Sequence, residues 1–245
     1  MSEVHVASST KYAIQVRGIR KQFGHLEALR GIDFELKKGE FLAVFGPNGA
    51  GKTTLIRILS ALTQATSGSA RVAGYDVAEG DPRMRREIGV ISHASYLYAD
   101  LTAYENICFY ARMYNLEDPA GRALEVIEEV GLQARRHDRV GTFSRGMVQR
   151  LSIARAIVHN PSILFLDEPY TGLDCHASIL LREHLKVLHA EKRTVLMTTH
   201  DFARGLEMCD RVAIQVKGRF VVSEPIENID RERFEERYLE AVAQA

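Results

Sequence analysis

The sequence predicts an α/β fold, with an antiparallel or mixed β region near the N-terminus and an all-helical stretch set into the middle of the chain. Three observations predict it. Residues 88–91, 162–166, 194–198 and 212–216 are short and β-branched or aliphatic, as suits strands buried on both faces. Residues 46–54 read Gly-Pro-Asn-Gly-Ala-Gly-Lys-Thr-Thr, the phosphate-cradling pattern G-x-x-x-x-G-K-[ST], between an apolar run at 41–45 and an amphipathic run at 54–62. From Thr102 to His159 the strand pattern stops and only helical segments remain.

The elements follow in order. Residues 13–16, 32–36 and 41–45 open the chain as strands, and 69–72 reads as another. Asp81-Pro82 and Asp118-Pro119 each pair an N-cap with a proline at the first helical position, and Thr102 with Glu105 makes a capping box. Gly131 suits a helix stop. Lys217-Gly218 reads as a hairpin turn into 219–222, and the tail from 230 to 245 as a short amphipathic helix. One domain, 1–245, is expected. Within it, 11–92 and 160–229 form an α/β core with its β subdomain, 93–159 a helical subdomain and 230–245 a C-terminal helix.

A chain of 245 residues can bury a substantial core, and its 32 basic and 32 acidic residues cancel, so no global field draws it to nucleic acid. Cys108, Cys175 and Cys209 lack metal-like spacing and fit a reducing compartment. Residues 1–10 lack the apolar centre of a secretory leader, and no apolar run reaches the ~20 residues that span a bilayer. The expectation is a soluble intracellular protein that reaches a membrane only by docking on another chain.

The chemistry starts at the glycine-rich run. Gly46, Gly49 and Gly51 let the backbone fold tightly, so that N–H groups along Gly46, Pro47, Asn48, Gly49, Ala50, Gly51, Lys52, Thr53 and Thr54 converge on one anion. The helix that follows adds its positive end. Lys52 can reach terminal phosphates, and the Thr53 hydroxyl is placed to ligate Mg²⁺. A nucleoside triphosphate site is expected. The second run, Ile163-Leu-Phe-Leu-Asp-Glu-Pro169, ends an apolar strand in two carboxylates, at the sheet edge where α/β proteins bind ligands. Asp167 can hold the metal opposite Thr53, and Glu168 can polarise the water that attacks the γ-phosphate.

Four further pieces stand between Phe23 and His200. Phe143-Ser-Arg-Gly-Met147 precedes Val148-Gln-Arg-Leu-Ser-Ile-Ala-Arg-Ala156; Tyr170-Thr-Gly-Leu-Asp174 follows the acidic pair; Thr199-His200 ends a strand; and Phe23 precedes Gly24. Together they resemble the ATP-binding subunits of ABC transporters. The resemblance implies a P-loop NTPase core with a mixed or antiparallel N-terminal β subdomain and an inserted α-helical subdomain. It implies ATP and Mg²⁺ as cofactors and hydrolysis with Glu168, His200 and Lys52 as catalytic residues. Phe23 would stack on adenine. Ser144 and Gly146 would complete the nucleotide site of a partner copy, itself or a paralogue, in a head-to-tail dimer, with Asp174 as a contact across it.

Thr53, Asp167 and His93 are the implied metal-facing set. His93 stands where the family usually carries glutamine, and an imidazole gains charge near pH 6.5, so activity is expected to fall more steeply on acidification than in His93→Gln. Arg145 and Met147 replace the commoner glycine and glutamine of the signature. Plainer roles stay open for some residues. His200 also suits a residue flanking an Asp201-capped helix, Asp174 also suits a cap for the helix carrying Ile179, Leu181 and Leu185, and Tyr110 and Tyr114 suit core packing. The implied partners are transmembrane permease subunits, received in a groove near Tyr96 to Tyr98, which puts the chain in the cytoplasm, peripheral on the cytoplasmic face of the membrane. Residues 91–106 and the signature look most like haem-exporter ATPases of cytochrome c maturation. Drug, lipid and polysaccharide exporters share much of the pattern, and a soluble non-transport ABC ATPase is the remaining alternative.

Overall fold

In the computed structural model, residues 11–92, 94–171, 173 and 175–244 are described, and their strands divide between two sheets. The first is antiparallel, in the order β2 (Leu26–Lys37), β1 (Tyr12–Phe23), β4 (Ser67–Val72), β5 (Tyr75–Asp76). The sequence places only 13–16 and 32–36 in strands here. Both strands are 12 residues long, because they continue through register shifts that break the two-residue alternation.

The second sheet contains β3 (Phe41–Phe45), β6 (Ile88–Ile91), β7 (Ile163–Asp167), β8 (Thr194–Thr199), β9 (Arg211–Val216) and β10 (Arg219–Pro225). Their order is β10-β9-β3-β8-β7-β6, parallel except for the β9–β10 hairpin. Lys217 and Gly218 make its turn with φ of +45° and +81°. β3 is buried along its whole length. Phe41, Ala43 and Phe45 face one core, and Leu42 and Val44 the other, so one strand is the wall between two hydrophobic layers.

The helices fill those layers. α1 (Lys52–Leu59) follows β3 and starts two residues before the sequence suggests, because Gly51 at φ +101° turns the chain straight into it. It stops at Leu59 rather than running to 62: Ser60 caps the end and Ala61 takes a positive φ. α2 (Pro82–Arg86) and α4 (Pro119–Glu129) start on the Asp-Pro caps, and Gly131 at φ +66° lies just beyond the end of α4. α3 (Ala103–Met113) carries the Thr102/Glu105 capping box. α5 (Arg145–Ile157) completes the helical stretch, which is not wholly without β pairing: an isolated bridge joins Thr102 to Arg139.

α6 (Cys175–Ala190) and α7 (Phe202–Met208) flank β8. At Gly205 a Cβ would stand 2.4 Å from the Phe45 ring, so this glycine lets α7 lie directly on β3. α8 (Phe234–Gln244) begins four residues after the start of the expected tail and buries Phe234 edge-on against Phe45, 5.0 Å between ring centres. Burying one such ring stabilises the fold by about 1.5–3 kcal/mol. The consequence for function is placement: β3, β7 and β8 all deliver their C-terminal ends to one edge of the sheet.

Candidate functional site

β3 runs into the glycine loop, and the loop is clamped from below. The Ala50 carbonyl accepts from Gly218 N–H at 3.0 Å and from the Gln215 amide at 2.9 Å, both on the β9–β10 hairpin. Gly46 is a steric requirement, since a Cβ there would sit 2.2 Å from the Gln215 carbonyl oxygen. Gly51 gives α1 no side-chain cap, so the first N–H groups of that helix keep no intrahelical acceptor and remain available to an anion. Pro47, Asn48, Gly49, Ala50, Gly51, Lys52, Thr53 and Thr54 line a cleft of about 430 Å³ together with Phe23 and Glu168. Phe23 closes β1 at the cleft rim, about half exposed, with the Lys21 ammonium 4.8 Å from its ring centre.

The charged groups form a connected set. Lys52 is buried, and its ammonium donates to the carbonyls of Gly46 at 2.6 Å and Pro47 at 3.3 Å and pairs with Glu168 at 3.5 Å. Asp167, the buried last residue of β7, accepts from the hydroxyls of Thr53 at 3.1 Å and Thr198 at 2.8 Å. A buried carboxylate must be paired or hydrogen-bonded to persist as a charge, and these hydroxyls serve that purpose. Glu168 follows in the left-handed region, φ +50°, which costs a residue with a side chain about 1–2 kcal/mol. Its N–H donates to the Thr198 carbonyl at 3.1 Å and to the Thr198 hydroxyl at 3.2 Å, while its carboxylate meets His200 Nδ1 at 2.7 Å. His200 stands between β8 and the Asp201 cap of α7, mostly exposed.

Thr53 and Asp167 are hard oxygen donors side by side, which suits Mg²⁺. Among the described residues no cluster of three or more His, Cys, Asp or Glu could hold a metal, and a magnesium ion needs none, because it takes its remaining ligands from substrate phosphates and water. The proposed metal-facing His93 lies outside the described residues, as does Asp174.

Ser144 and Gly146 do not join this cleft. Ser144 is the exposed N-cap of α5, its hydroxyl accepting from Met147 N–H at 3.3 Å, and the first turn holds no acidic residue to offset the helix's positive end. Within one chain, this start of α5 has no anion to hold.

Away from the cleft, Tyr96, Tyr98, Phe109 and Met113 are exposed aromatic or apolar side chains around α3. The Arg155 guanidinium lies 5.5 Å from the ring centres of both Tyr96 and Tyr110, and burial lowers its pKa. Tyr114 stacks on His159 at 3.7 Å, and burial pushes that imidazole down to about 4. Tyr110 and Tyr114 pack against the hydrophobic core, whereas Tyr96 and Tyr98 stay half exposed.

Sequence reasoning missed Thr198 and Gln215. The available signal was a polar residue inside a strand that is otherwise apolar, Thr194–Thr199 and Arg211–Val216. Neither position carries a motif, so only the fold shows what each one touches.

The ABC transporter family profile matches residues 29–171. The linearmycin resistance ATP-binding protein LnrL of Bacillus subtilis is 38% identical over 210 residues, covering 85% of this chain and 68% of that protein. A fluoroquinolones export ATP-binding protein of Mycobacterium tuberculosis is 38% identical over 212 residues, 85% of this chain and 69% of its own length. Among solved structures, the dimeric ATP-binding cassette MJ0796 in a post-hydrolysis state, bound to ADP and Pi, superposes with a TM-score of 0.80 at 27% identity, covering 88% of this chain and 100% of that one. No helix among the described residues is long and apolar enough to cross a membrane. A clamped phosphate loop beside a paired acid and base, within a sequence matched over more than half its length, leaves one assignment: the chain belongs to the ABC transporter family and is an ATPase of its transport-coupled type.

Proposed function

We propose that two copies of this chain close head to tail around two ATP molecules and drive an exporter whose channel is made by separate transmembrane subunits. The observation that carries this reading is the run Lys52–Glu168–His200, with contacts of 3.5 and 2.7 Å, beside the Thr53–Asp167 pair at one sheet edge. The bare start of α5, which has no ligand within its own chain, supports the second half of the reading.

In this account the loop's N–H groups and Lys52 hold the β- and γ-phosphates, and Phe23 stacks on adenine. Bound at Thr53 and Asp167, Mg²⁺ would neutralise phosphate charge. Glu168 accepts the proton of the attacking water. His200, 2.7 Å away, holds that carboxylate and faces the γ-phosphate. Ser144 and Gly146 of the partner copy cap the same phosphate tail, so ATP joins the two copies and its cleavage lets them part. Asp174 is assigned to the contact across the dimer and His93 to the metal side.

The exposed Tyr96, Tyr98, Phe109 and Met113 side chains suit a helix of the permease, which would hold the chain on the cytoplasmic face of the membrane. The two relatives described above carry names of drug resistance and drug export, so small-molecule export is the cargo reading. Haem export, to which the sequence resemblance leans, has no counterpart in those names.

The test is turnover in purified protein. Glu168→Gln should lose about 10²–10⁴-fold in kcat and still bind ATP. Wild-type turnover in that variant overturns the reading. Co-purification of a polytopic membrane chain tests the export half.

A further inference from the structure

We infer that Gln149 is a positioning residue for Glu168, tying the base to the helix that starts at Ser144. The inference rests on the proposed roles of Glu168 and Ser144. Gln149 is half-buried on α5, and its side-chain amide donates to the Pro169 carbonyl at 3.1 Å. That carbonyl belongs to the residue directly after Glu168.

Glu168 needs an external hold. It is a non-glycine residue in the left-handed region, a conformation that persists only when its surroundings enforce it. From the N-terminal side Thr198 enforces it, through the two contacts to the Glu168 N–H. From the C-terminal side comes proline, whose fixed φ leaves the following peptide few ways to relax. Among the described residues, the side-chain bond made to that peptide's oxygen is the one from Gln149. The base is therefore held between β8 and α5.

The two anchors differ in what moves them. β8 sits inside the parallel sheet, hydrogen-bonded on both sides to β3 and β7. α5 instead begins at an exposed N-cap, about 7.5 Å along the helix axis from Gln149. When Ser144 engages the nucleotide of the opposite copy, the helix start is fixed, and the Gln149 amide passes that position to the Glu168–Pro169 peptide. Each Glu168 thereby responds to occupancy of the other site. A misplacement of the base by a fraction of an ångström is enough to slow the chemistry without weakening ATP binding.

The experiment compares Gln149→Leu, which keeps the bulk and removes the donor, with Gln149→Glu, which keeps the shape and removes it. ATP turnover, ATP affinity and melting temperature are measured for each purified protein. A further pair, Gln149→Leu and Gln149→Glu placed in a Glu168→Gln background, is tested for ATP-driven dimerisation. The expected result is a kcat lower by about tenfold to a hundredfold with KM within about twofold, and dimerisation retained in the Glu168→Gln background. A kcat within twofold of wild type in the folded variants overturns the inference. So does loss of dimerisation, which would mean that Gln149 merely supports α5. Should the leucine variant melt early, the glutamate variant decides. Glu168→Gln alone is the control: full turnover in it fails the assignment of the base, a result distinct from failure at Gln149.

Discussion

The sheet edge and the helical stretch solve opposite problems. At the sheet edge, Lys52, Asp167 and Thr198 are buried, and each is bonded to a neighbour within the chain before any ligand arrives. On the helical side, Ser144 caps an exposed helix start and Tyr96 and Tyr98 stand half in solvent. The first region holds its polar groups in preset geometry at the cost of burying charge. The second leaves donors and rings free for another molecule. The contrast suggests an enzyme whose catalytic groups are preassembled in one chain and whose completion comes from outside.

Three variants break or sharpen that contrast. The largest effect is expected at Gly46→Ala, where the new Cβ would meet the Gln215 carbonyl at 2.2 Å and push the loop off its support. ATP affinity should fall by roughly a hundredfold, about 2.7 kcal/mol. A nucleotide titration showing unchanged affinity would mean that the loop is not preset.

The next effect lies at the seam. His159, just past the end of α5, bonds the Ile88 carbonyl on β6 at 2.9 Å, and burial holds its pKa at about 4 against an ordinary 6.5. The unfolded chain therefore takes up this proton first as pH falls. Stability is full above 6.5 and declines toward 4, by about 2–3 kcal/mol between pH 7 and 4.5. His159→Phe keeps a ring against Tyr114 without titrating. Urea melts at the two pH values should show a smaller loss in the variant, and equal losses would refute the assignment.

The smallest effect is confined to the helical stretch. Thr102→Ala removes both halves of the α3 capping box, where the hydroxyl accepts from Glu105 N–H at 3.1 Å and the Glu105 carboxylate accepts from Thr102 N–H at 2.8 Å. About 1 kcal/mol of stability should be lost. ATP affinity should not change, because α3 contributes nothing to the cleft. An altered affinity would show that the two regions are not separable.

How much of this the sequence revealed follows the same division. The phosphate loop, the Asp167-Glu168 pair and the caps at Thr102, Asp81 and Asp118 were legible because each is set by neighbours within a few residues. Hidden were the contacts that cross the fold: Thr198 on Asp167, Gln215 under Ala50 and Gln149 on Pro169 join residues 31, 165 and 20 positions apart. The full reach of β1 and β2 was hidden for a different reason, since register shifts erased the alternation by which a strand is recognised.

The central claim, that each catalytic site is built from two chains, is tested most directly by mixing two inactive variants. Lys52→Ala disables the phosphate loop, and Ser144→Arg blocks the helix start, so neither homodimer turns over ATP. In a head-to-tail sandwich, a mixed dimer places both lesions in one site and leaves the other intact. An equimolar mixture should therefore recover up to about a quarter of wild-type turnover, half the dimers being mixed and each having one working site. A mixture as inactive as its components would contradict the account.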